Sequence, residues 1–270
     1  MAGYLFNYEE KIWGGEKIRL TPVYFRATRL LYLLRALKDV KGRVLDVGCG
    51  VGDFVEAIKF YRPDLEVYGV DISKEAIAQA KKRVQQGKFK VAVAENLPFK
   101  DNYFNAVACM DVLEHVEFPI EAIKEAKRVL TAGGVYNTFI PAEGNIYSLE
   151  GILLKLGWRA KEIYGAHPNH FTLAEIKDFF YKGGFKDLKI IWGDHIFQQI
   201  IEIVFFTLLS LRGKNIGHSV EGYLGFAKPS LKIRILNVFK DILATICYFE
   251  SRSLWWFPGL GVHVTCRKPL

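Results

Sequence analysis

Cysteine is scarce in this 270-residue chain. Its four residues, Cys49, Cys109, Cys247 and Cys266, lie far apart and form no CxxC pair. That excludes a zinc ribbon or CxxC redox site and points to reduced thiols in a cytosolic protein. A clean membrane span is missing too, because the most apolar stretch is interrupted by Gln198, Gln199 and Glu202. The amino-terminal MAGYLFNYEEKIWGGEK has acids and no apolar core, so it does not read as a signal peptide. No RRM, KH or zinc-finger pattern occurs. Acidic residues are outnumbered, 29 against 37 basic, for a net charge of +8. This balance permits an anionic partner, nucleic acid or membrane surface, without choosing between them. What is abundant is apolar residue, at 50%, enough for one large domain or one domain with a sizeable insertion.

Those apolar residues fall into alternating strands and helices. Residues 23–38, VYFRATRLLYLLRALK, have helical spacing with basic residues on one side. RVLDVG reads as a strand and DFVEAIKFY as a helix, and EVYGVDIS with KEAIAQAKKRVQQ repeats the pair. FKVAVAE and FNAVACMD are third and fourth strands, PIEAIKEAKRVL a helix and GGVYNTFIP a fifth strand. Such βαβ units predict a doubly wound α/β sheet that binds ligands beyond the carboxyl ends of its strands.

VLDVGCGVGDF, residues 44–54, ends the first strand. Glycine there permits a tight strand-to-helix turn and close approach of a ligand to the backbone. Asp71, at the end of the second strand, can accept hydrogen bonds from both hydroxyls of a ribose, so the ligand reads as a nucleoside; ordinary turn chemistry is the alternative. Gly48, Gly50 and Gly52 are spaced GxGxG rather than GxGxxG, and Asp53 follows. A carboxylate is a poor neighbour for a pyrophosphate and a better one for a zwitterionic amino-acid tail and a sulfonium.

VLDVGCGVGDF, VYGVDIS, AENLPFKDNYFNAVACMDVLEHV and RVLTAGGVYNTFIP resemble, in order, the motifs of class I S-adenosylmethionine-dependent methyltransferases. The quinone-biosynthesis-like, small-molecule branch is most similar. The resemblance runs from about residue 40 to 193 and returns at GVHVTCRKP. It implies a Rossmann-like seven-stranded α/β sheet with S-adenosyl-L-methionine as cofactor. It further implies that Asp46 orients the loop and the amino group of the methionine tail, and that Gly48, Cys49 and Gly50 give that tail backbone contacts. By the same resemblance Asp71 holds the ribose and Ile72 packs on the adenine. Ala94, Glu95 and Asn96 line the adenine's other side, and Met110 lies under the sulfonium. Arg29, or Arg26, would reach the cofactor carboxylate, a solvated basic face being the alternative. Two departures stand out: Val93 replaces an acid that many relatives aim at the adenine amino group, and Asn105 replaces a common Asp. The Asn/Asp-Pro-Pro-aromatic motif of base N-methyltransferases is missing after the fourth strand, so no nucleic-acid substrate is expected.

Methyl transfer to a hydroxyl needs alignment, exclusion of water and removal of a proton. Relatives place a histidine just before FT, which gives His170 here, with His167 a turn earlier and Thr172 as a helix N-cap. His170 and His167 are candidate bases, since imidazole titrates near neutrality. DVLEH adds Asp111 as a third catalytic candidate beside Glu114 and His115. Such a cluster can hold magnesium in quinone-type relatives, but the reading adopted has no metal, with these side chains capping and lining the end of the fourth strand.

The expected organisation is a helical segment over 1–40 and a cofactor domain over 41–193, within which 142–170 covers the active site. An apolar helical insertion fills 194–260 and a final strand 261–270. Residues between DLKIIWGD and GVHVTCRKP far exceed a hairpin loop and end in Trp255, Trp256 and Phe257, side chains suited to a membrane interface. The insertion is a cap over a greasy acceptor site, with or without contact to an anionic membrane, or a subunit interface. The expected activity is methylation, at oxygen, of a hydrophobic or lipid-linked small molecule by a cytoplasmic enzyme, peripheral at the membrane if that contact exists. Methylation of a soluble metabolite and a silent methyltransferase-like binding protein are the alternatives. The oligomeric state is not legible.

Overall fold

The computed structural model describes residues 15, 17–165, 169–212 and 231–270. Its seven strands are β1 (Arg43–Val47), β2 (Glu66–Asp71), β3 (Lys88–Val91), β4 (Phe104–Met110), β5 (Leu130–Pro141), β6 (Lys186–Gly193) and β7 (Gly261–Arg267). They form one sheet in the order β3-β2-β1-β4-β5-β7-β6. Strands β1 to β5 are parallel where they pair, while β7 runs antiparallel between β5 and β6. Strand β6 therefore points the same way as β5. The carboxyl edge of the sheet collects Asp46, Asp71, Asp111, Glu143 and Asp194 from the ends of β1, β2, β4, β5 and β6.

Helices among the described residues are α1 (Ala27–Ala36), α2 (Asp53–Tyr61), α3 (Lys74–Arg83), α4 (Pro119–Val129), α5 (Leu149–Lys155), α6 (Ala160–Gly165), α7 (Leu173–Lys182), α8 (Ile196–Arg212) and α9 (Leu231–Ser253). The central strands are apolar on both faces because both are covered. Along β1, Leu45 and Val47 enter a core with Tyr136, Ile176 and Phe180, while Val44 enters the opposite core with Leu30, Phe54 and Ile58. That alternation is the period-two geometry of a strand.

Several elements differ from the sequence reading at their ends, α3 among them, which stops at Arg83. Strand β3 stops at Val91 because a Val93–Asn96 bridge turns the chain away. Strand β5 starts early, at Leu130, which pairs with Phe104 before a register shift. Helix α1 is shorter than the 23–38 pattern. Helices α8 and α9 lie between β6 and β7.

Candidate functional site at the carboxyl edge

The loop after β1 is left-handed at Gly48, Gly50 and Gly52, with φ of 70°, 51° and 87°. A Cβ at Gly48 would lie 2.3 Å from Val112, so this position admits only glycine without movement of the loop after β4. The loop is tied to β2. The amide of Cys49 donates to the Val70 carbonyl at 2.9 Å, and that of Gly50 to Asp71 Oδ2 at 2.8 Å. Asp71 Oδ1 accepts from the Ser73 amide at 2.9 Å. Two backbone donors thus fix the Asp71 carboxylate, whose oxygens have lone-pair capacity beyond one bond each.

Asp46 is 1% exposed, and its Oδ2 has no hydrogen-bond partner among the described residues. Burial pushes its pKa up to about 8; Arg26 opposes the shift, and Asp71 and Asp53 add to it. Asp53 does not face a ligand, contrary to the sequence argument about pyrophosphate. Its carboxylate is buried, accepts from Arg26 at 2.9 Å and from the Gly15 amide at 3.0 Å, and also pairs with Arg83. Arg26 is correspondingly not a solvated basic side chain, and Arg83 was missed. Beside Asp71, Ile72 and Val93 are apolar yet exposed, while Ala94 and Met110 are buried, Glu95 half-buried and Asn96 exposed.

Arg29 is buried and stands on the Phe139 ring, 3.8 Å from its centroid. It pairs with Asp111 and Asp194, each at 3.0 Å. Burial works against its charge, but the two carboxylates outweigh this and raise its pKa. Its hydrogen bonds leave through Nε and Nη2, and Nη1 makes none among the described residues. Asp111 itself is left-handed, with φ of 54°. Next to it, Glu114 Oε1 lies 3.9 Å from His115 Nε2. Asn169 donates to the Glu114 and Val116 carbonyls at 3.0 and 3.1 Å, fastening this loop to the segment before α7.

That segment carries His170, whose Nε2 lies 3.6 Å from Glu143 Oε2. Gly144 brings the two together, since a Cβ there would lie 2.7 Å from the His170 carbonyl oxygen. Thr172 caps α7, as its sequence pattern suggested, and the structure adds a capping box with Glu175. His167 lies outside the described residues.

Behind His170 is a buried polar cluster that sequence reasoning missed. Lys161 of α6 reaches Glu143 at 3.0 Å, Glu150 of α5 at 2.9 Å and Glu202 of α8 at 2.5 Å. The one signal for it was the polar interruption of the apolar 196–212 stretch. Gln198 donates to Glu202 at 2.8 Å, and Gln199 accepts from the Leu149 amide at 2.7 Å and donates to the Asp194 carbonyl at 3.0 Å. Burial disfavours charge on Lys161, but Glu150, Glu202 and Glu143 outweigh it and hold its pKa well above the ordinary value. Burial pushes Glu150 up to about 8 against the pull of Lys161.

The β1–β2 end fits a nucleoside with a cationic amino-acid tail. It offers a backbone-anchored carboxylate for vicinal hydroxyls, exposed apolar side chains for a base, a glycine edge, and a buried carboxylate oxygen still lacking a donor.

Comparison with known proteins agrees. Residues 45–137 match the family model described as a methyltransferase domain. A ubiquinone biosynthesis O-methyltransferase from Alkalilimnicola ehrlichii is 37% identical over 136 residues, which are 48% of this chain and 54% of that protein. A demethylmenaquinone methyltransferase from Thermotoga maritima is 35% identical over 34% of this chain and 40% of its own length. The chain thus spans about half the length, or less, of the curated relatives it matches. Among solved structures, the YcgJ protein of Bacillus subtilis superposes with a TM-score of 0.60 at 19% identity, covering 90% of this chain and 99% of that one. Phosphoethanolamine N-methyltransferase 2 of Haemonchus contortus, solved with S-adenosyl-L-methionine, gives 0.56 at 20% identity, covering 90% and 53%. These structural likenesses show the shared Rossmann-like fold.

Proposed function

We propose that this chain, which belongs to the class I S-adenosylmethionine-dependent methyltransferase family, methylates an oxygen of a hydrophobic or lipid-linked small molecule. The observation that carries the cofactor assignment is Asp46 Oδ2 beside the glycine loop, buried and without a hydrogen-bond partner among the described residues. When bound, S-adenosylmethionine supplies an electrophilic sulfonium methyl. Asp71 accepts from the ribose hydroxyls and Asp46 from the ammonium of the tail. Gly48, Cys49 and Gly50 contact the tail through their backbone, and Arg29 donates to its carboxylate through Nη1. Ile72, Ala94, Glu95 and Asn96 enclose the adenine, and Met110 lies under the sulfonium. On the acceptor side His170, held by Glu143, removes the hydroxyl proton, and the cover over 142–170 excludes water. Asp111 holds Arg29 in place.

The hydrophobic acceptor and contact with an anionic membrane are supported by two exposed apolar stripes. Ile200, Val204, Leu208 and Leu211 lie along one face of α8, and Ile235, Phe239, Ile242, Ile246 and Phe249 along α9. Trp255, Trp256 and Phe257 extend them, 51%, 62% and 44% exposed. Patches of this kind mark interaction surfaces. Among the described residues no helix is long and apolar enough to cross a membrane, so the contact proposed is peripheral.

Radiolabelled S-adenosylmethionine incubated with a quinone-containing lipid extract tests this reading. Label in the organic phase, matched by S-adenosylhomocysteine, is expected. Label confined to water-soluble products would favour a soluble metabolite. In parallel, Asp71→Ala removes hydrogen bonds to a charged group, about 1.5–3 kcal/mol each, so calorimetry should show at least tenfold weaker S-adenosylhomocysteine binding. Binding of that ligand without turnover on any acceptor would favour a silent binding protein, the reading to which Val93 lends weight.

A further inference from the structure

Arg29 is held by carboxylates that end two different strands. Asp111 follows β4 and Asp194 follows β6, and both are left-handed, with φ of 54° and 52°. Among the described residues only Asn102 and Asp187 share that conformation without being glycine. A side chain in this region is strained, Asp less than most, and such strain gathers where function fixes the backbone. Here it accompanies two strand ends that meet at one guanidinium: Asp111 Oδ2 lies 3.0 Å from Nε and Asp194 Oδ2 3.0 Å from Nη2. With those nitrogens held and the Phe139 ring beneath, the planar fork is fixed in orientation. Nη1 is its one nitrogen without a hydrogen bond among the described residues. The fork stands beside the glycine loop, because Val112, next to Asp111, is the side chain that a Cβ at Gly48 would strike.

Asp194 also belongs to a second set of contacts. Its carbonyl accepts from the Leu260 amide at 2.9 Å and from Gln199 Nε2 at 3.0 Å. On either side of it, the Trp192 amide donates to the Trp255 carbonyl at 2.9 Å, and His195 Nε2 lies 2.9 Å from the Phe257 carbonyl oxygen. A Cβ at Gly259 would lie 2.2 Å from the Gly193 carbonyl oxygen, so the two segments meet backbone to backbone. Residues 255–260, which carry the exposed Trp255, Trp256 and Phe257, are thus fastened to residues 192–195. One buried residue, Asp194, holds the guanidinium with its side chain and the aromatic loop with its main chain.

We propose that Asp194 is a positioning residue that couples the cofactor's carboxylate to the aromatic loop: its side chain fixes Arg29 with Nη1 left for that carboxylate, and its main chain carries the resulting order into residues 255–260. The coupling rests on the methyltransferase reading, but it is measured by ligand binding without turnover. A carboxylate on Nη1 takes the last nitrogen of the fork and suppresses the motion left to the guanidinium. Asp194, bonded to the same group, is ordered with it, and the loop bonded to Asp194 opens less often. Linkage makes the effect reciprocal, so whatever seats the loop, an anionic membrane included, tightens cofactor binding. A cofactor fragment without the amino-acid tail does not reach Nη1 and leaves the loop as it was.

Hydrogen–deuterium exchange of the whole chain tests this, read on peptides that contain the Trp192 and Leu260 amides. It is followed with S-adenosylhomocysteine or with methylthioadenosine, each at a saturation set by calorimetry. Methylthioadenosine keeps the adenosine and the thioether and lacks the tail. S-adenosylhomocysteine should slow exchange at both amides about fivefold or more relative to methylthioadenosine, the lower end of typical coupling between sites. This comparison needs no substitution. Asp194→Asn, checked for folding by circular dichroism and studied well below its melting temperature, should bind methylthioadenosine like the wild type and lose the difference between the two ligands. Equal exchange with either ligand bound, or a difference that survives in Asp194→Asn, overturns the proposal and leaves the cofactor assignment intact. Failure of both ligands to bind refutes the methyltransferase reading, and the coupling falls with it.

Discussion

The guanidinium of Arg29 lies 3.0 Å from the carboxylate of Asp194, 165 residues further along the chain. Through this pair the helix before the sheet is fastened to the start of the segment inserted before the last strand. Both partners are buried, so removing one leaves an uncompensated charge, at a cost of about 3–5 kcal/mol. Arg29→Met should lower the melting temperature by roughly 6–20 °C, taking about 2–4 °C per kcal/mol for a chain of this size. Arg29→Met/Asp194→Asn should recover part of the loss, because the orphaned carboxylate goes with it. An additive double variant would show that the two residues do not act as a pair.

Asp46 gives a pH signature. Its folded pKa near 8 lies above the ordinary carboxyl value of about 3.9. The folded protein without cofactor therefore keeps a proton that the unfolded chain has lost, and this group's contribution to stability declines as pH rises from about 4 to 8. An ammonium placed beside Asp46 reverses the preference, so binding S-adenosylhomocysteine below pH 8 should release up to one proton. Affinity should rise with pH over that interval, and the calorimetric enthalpy should depend on the ionisation enthalpy of the buffer. Asp46→Asn should bind more weakly and lose the buffer dependence. A wild-type enthalpy indifferent to buffer would contradict the placement of the ammonium.

His170 and Thr172 sit two residues apart and should fail in different ways. His170→Ala should slow turnover on the order of a hundredfold, with cofactor affinity unchanged. Thr172→Ala breaks the capping box with Glu175 and should cost about 0.5–2 kcal/mol of stability with the rate little altered. A His170→Ala protein that loses stability and keeps its rate would make His170 a structural residue.

These contrasts follow the limits of what the sequence discloses. Asp46, Gly48 and Asp71 were legible because strand, turn and acid lie close in the chain and each residue type answers a local constraint. The Thr172 N-cap was legible for the same reason, whereas its reciprocal partner Glu175 was not singled out. The Lys161 cluster was not, since Lys161 is 41 residues from Glu202 and nothing in either segment names the other. Gln198, Gln199 and Glu202 looked like blemishes in an apolar helix. They are its inward face, bonded to α5, α6 and the end of β6, while much of its apolar surface points outward. Asp53 misled because its neighbours in the glycine loop suggested a ligand, whereas Arg83 from the end of α3 claims its carboxylate. Strand β3 was overextended because Ala92 and Ala94 continue its apolar pattern past the Val93–Asn96 bridge.

That inversion of α8 leads to a test of the membrane contact. Helices folded as a closed cap would bury their apolar stripes inward, yet Val204, Leu208, Val238, Phe239 and Phe249 are all about half exposed or more, as are Trp255 and Trp256. Transferring such surface out of water contributes about 25 cal/mol per Å², and Arg234 and Arg252, exposed on α9, add attraction to anionic lipid of about 1 kcal/mol per charge. The protein should therefore co-sediment with vesicles, more strongly as phosphatidylglycerol content rises and less strongly as salt rises. Trp255→Ala/Trp256→Ala should weaken that binding several-fold with little change in melting temperature, because exposed side chains contribute little to the folded core. The opposite pattern, wild type left in the supernatant at low salt and the double variant strongly destabilised, would mean that another part of the protein covers these residues. The stripes would then belong to a packed lid, and a water-soluble acceptor would become the better assignment.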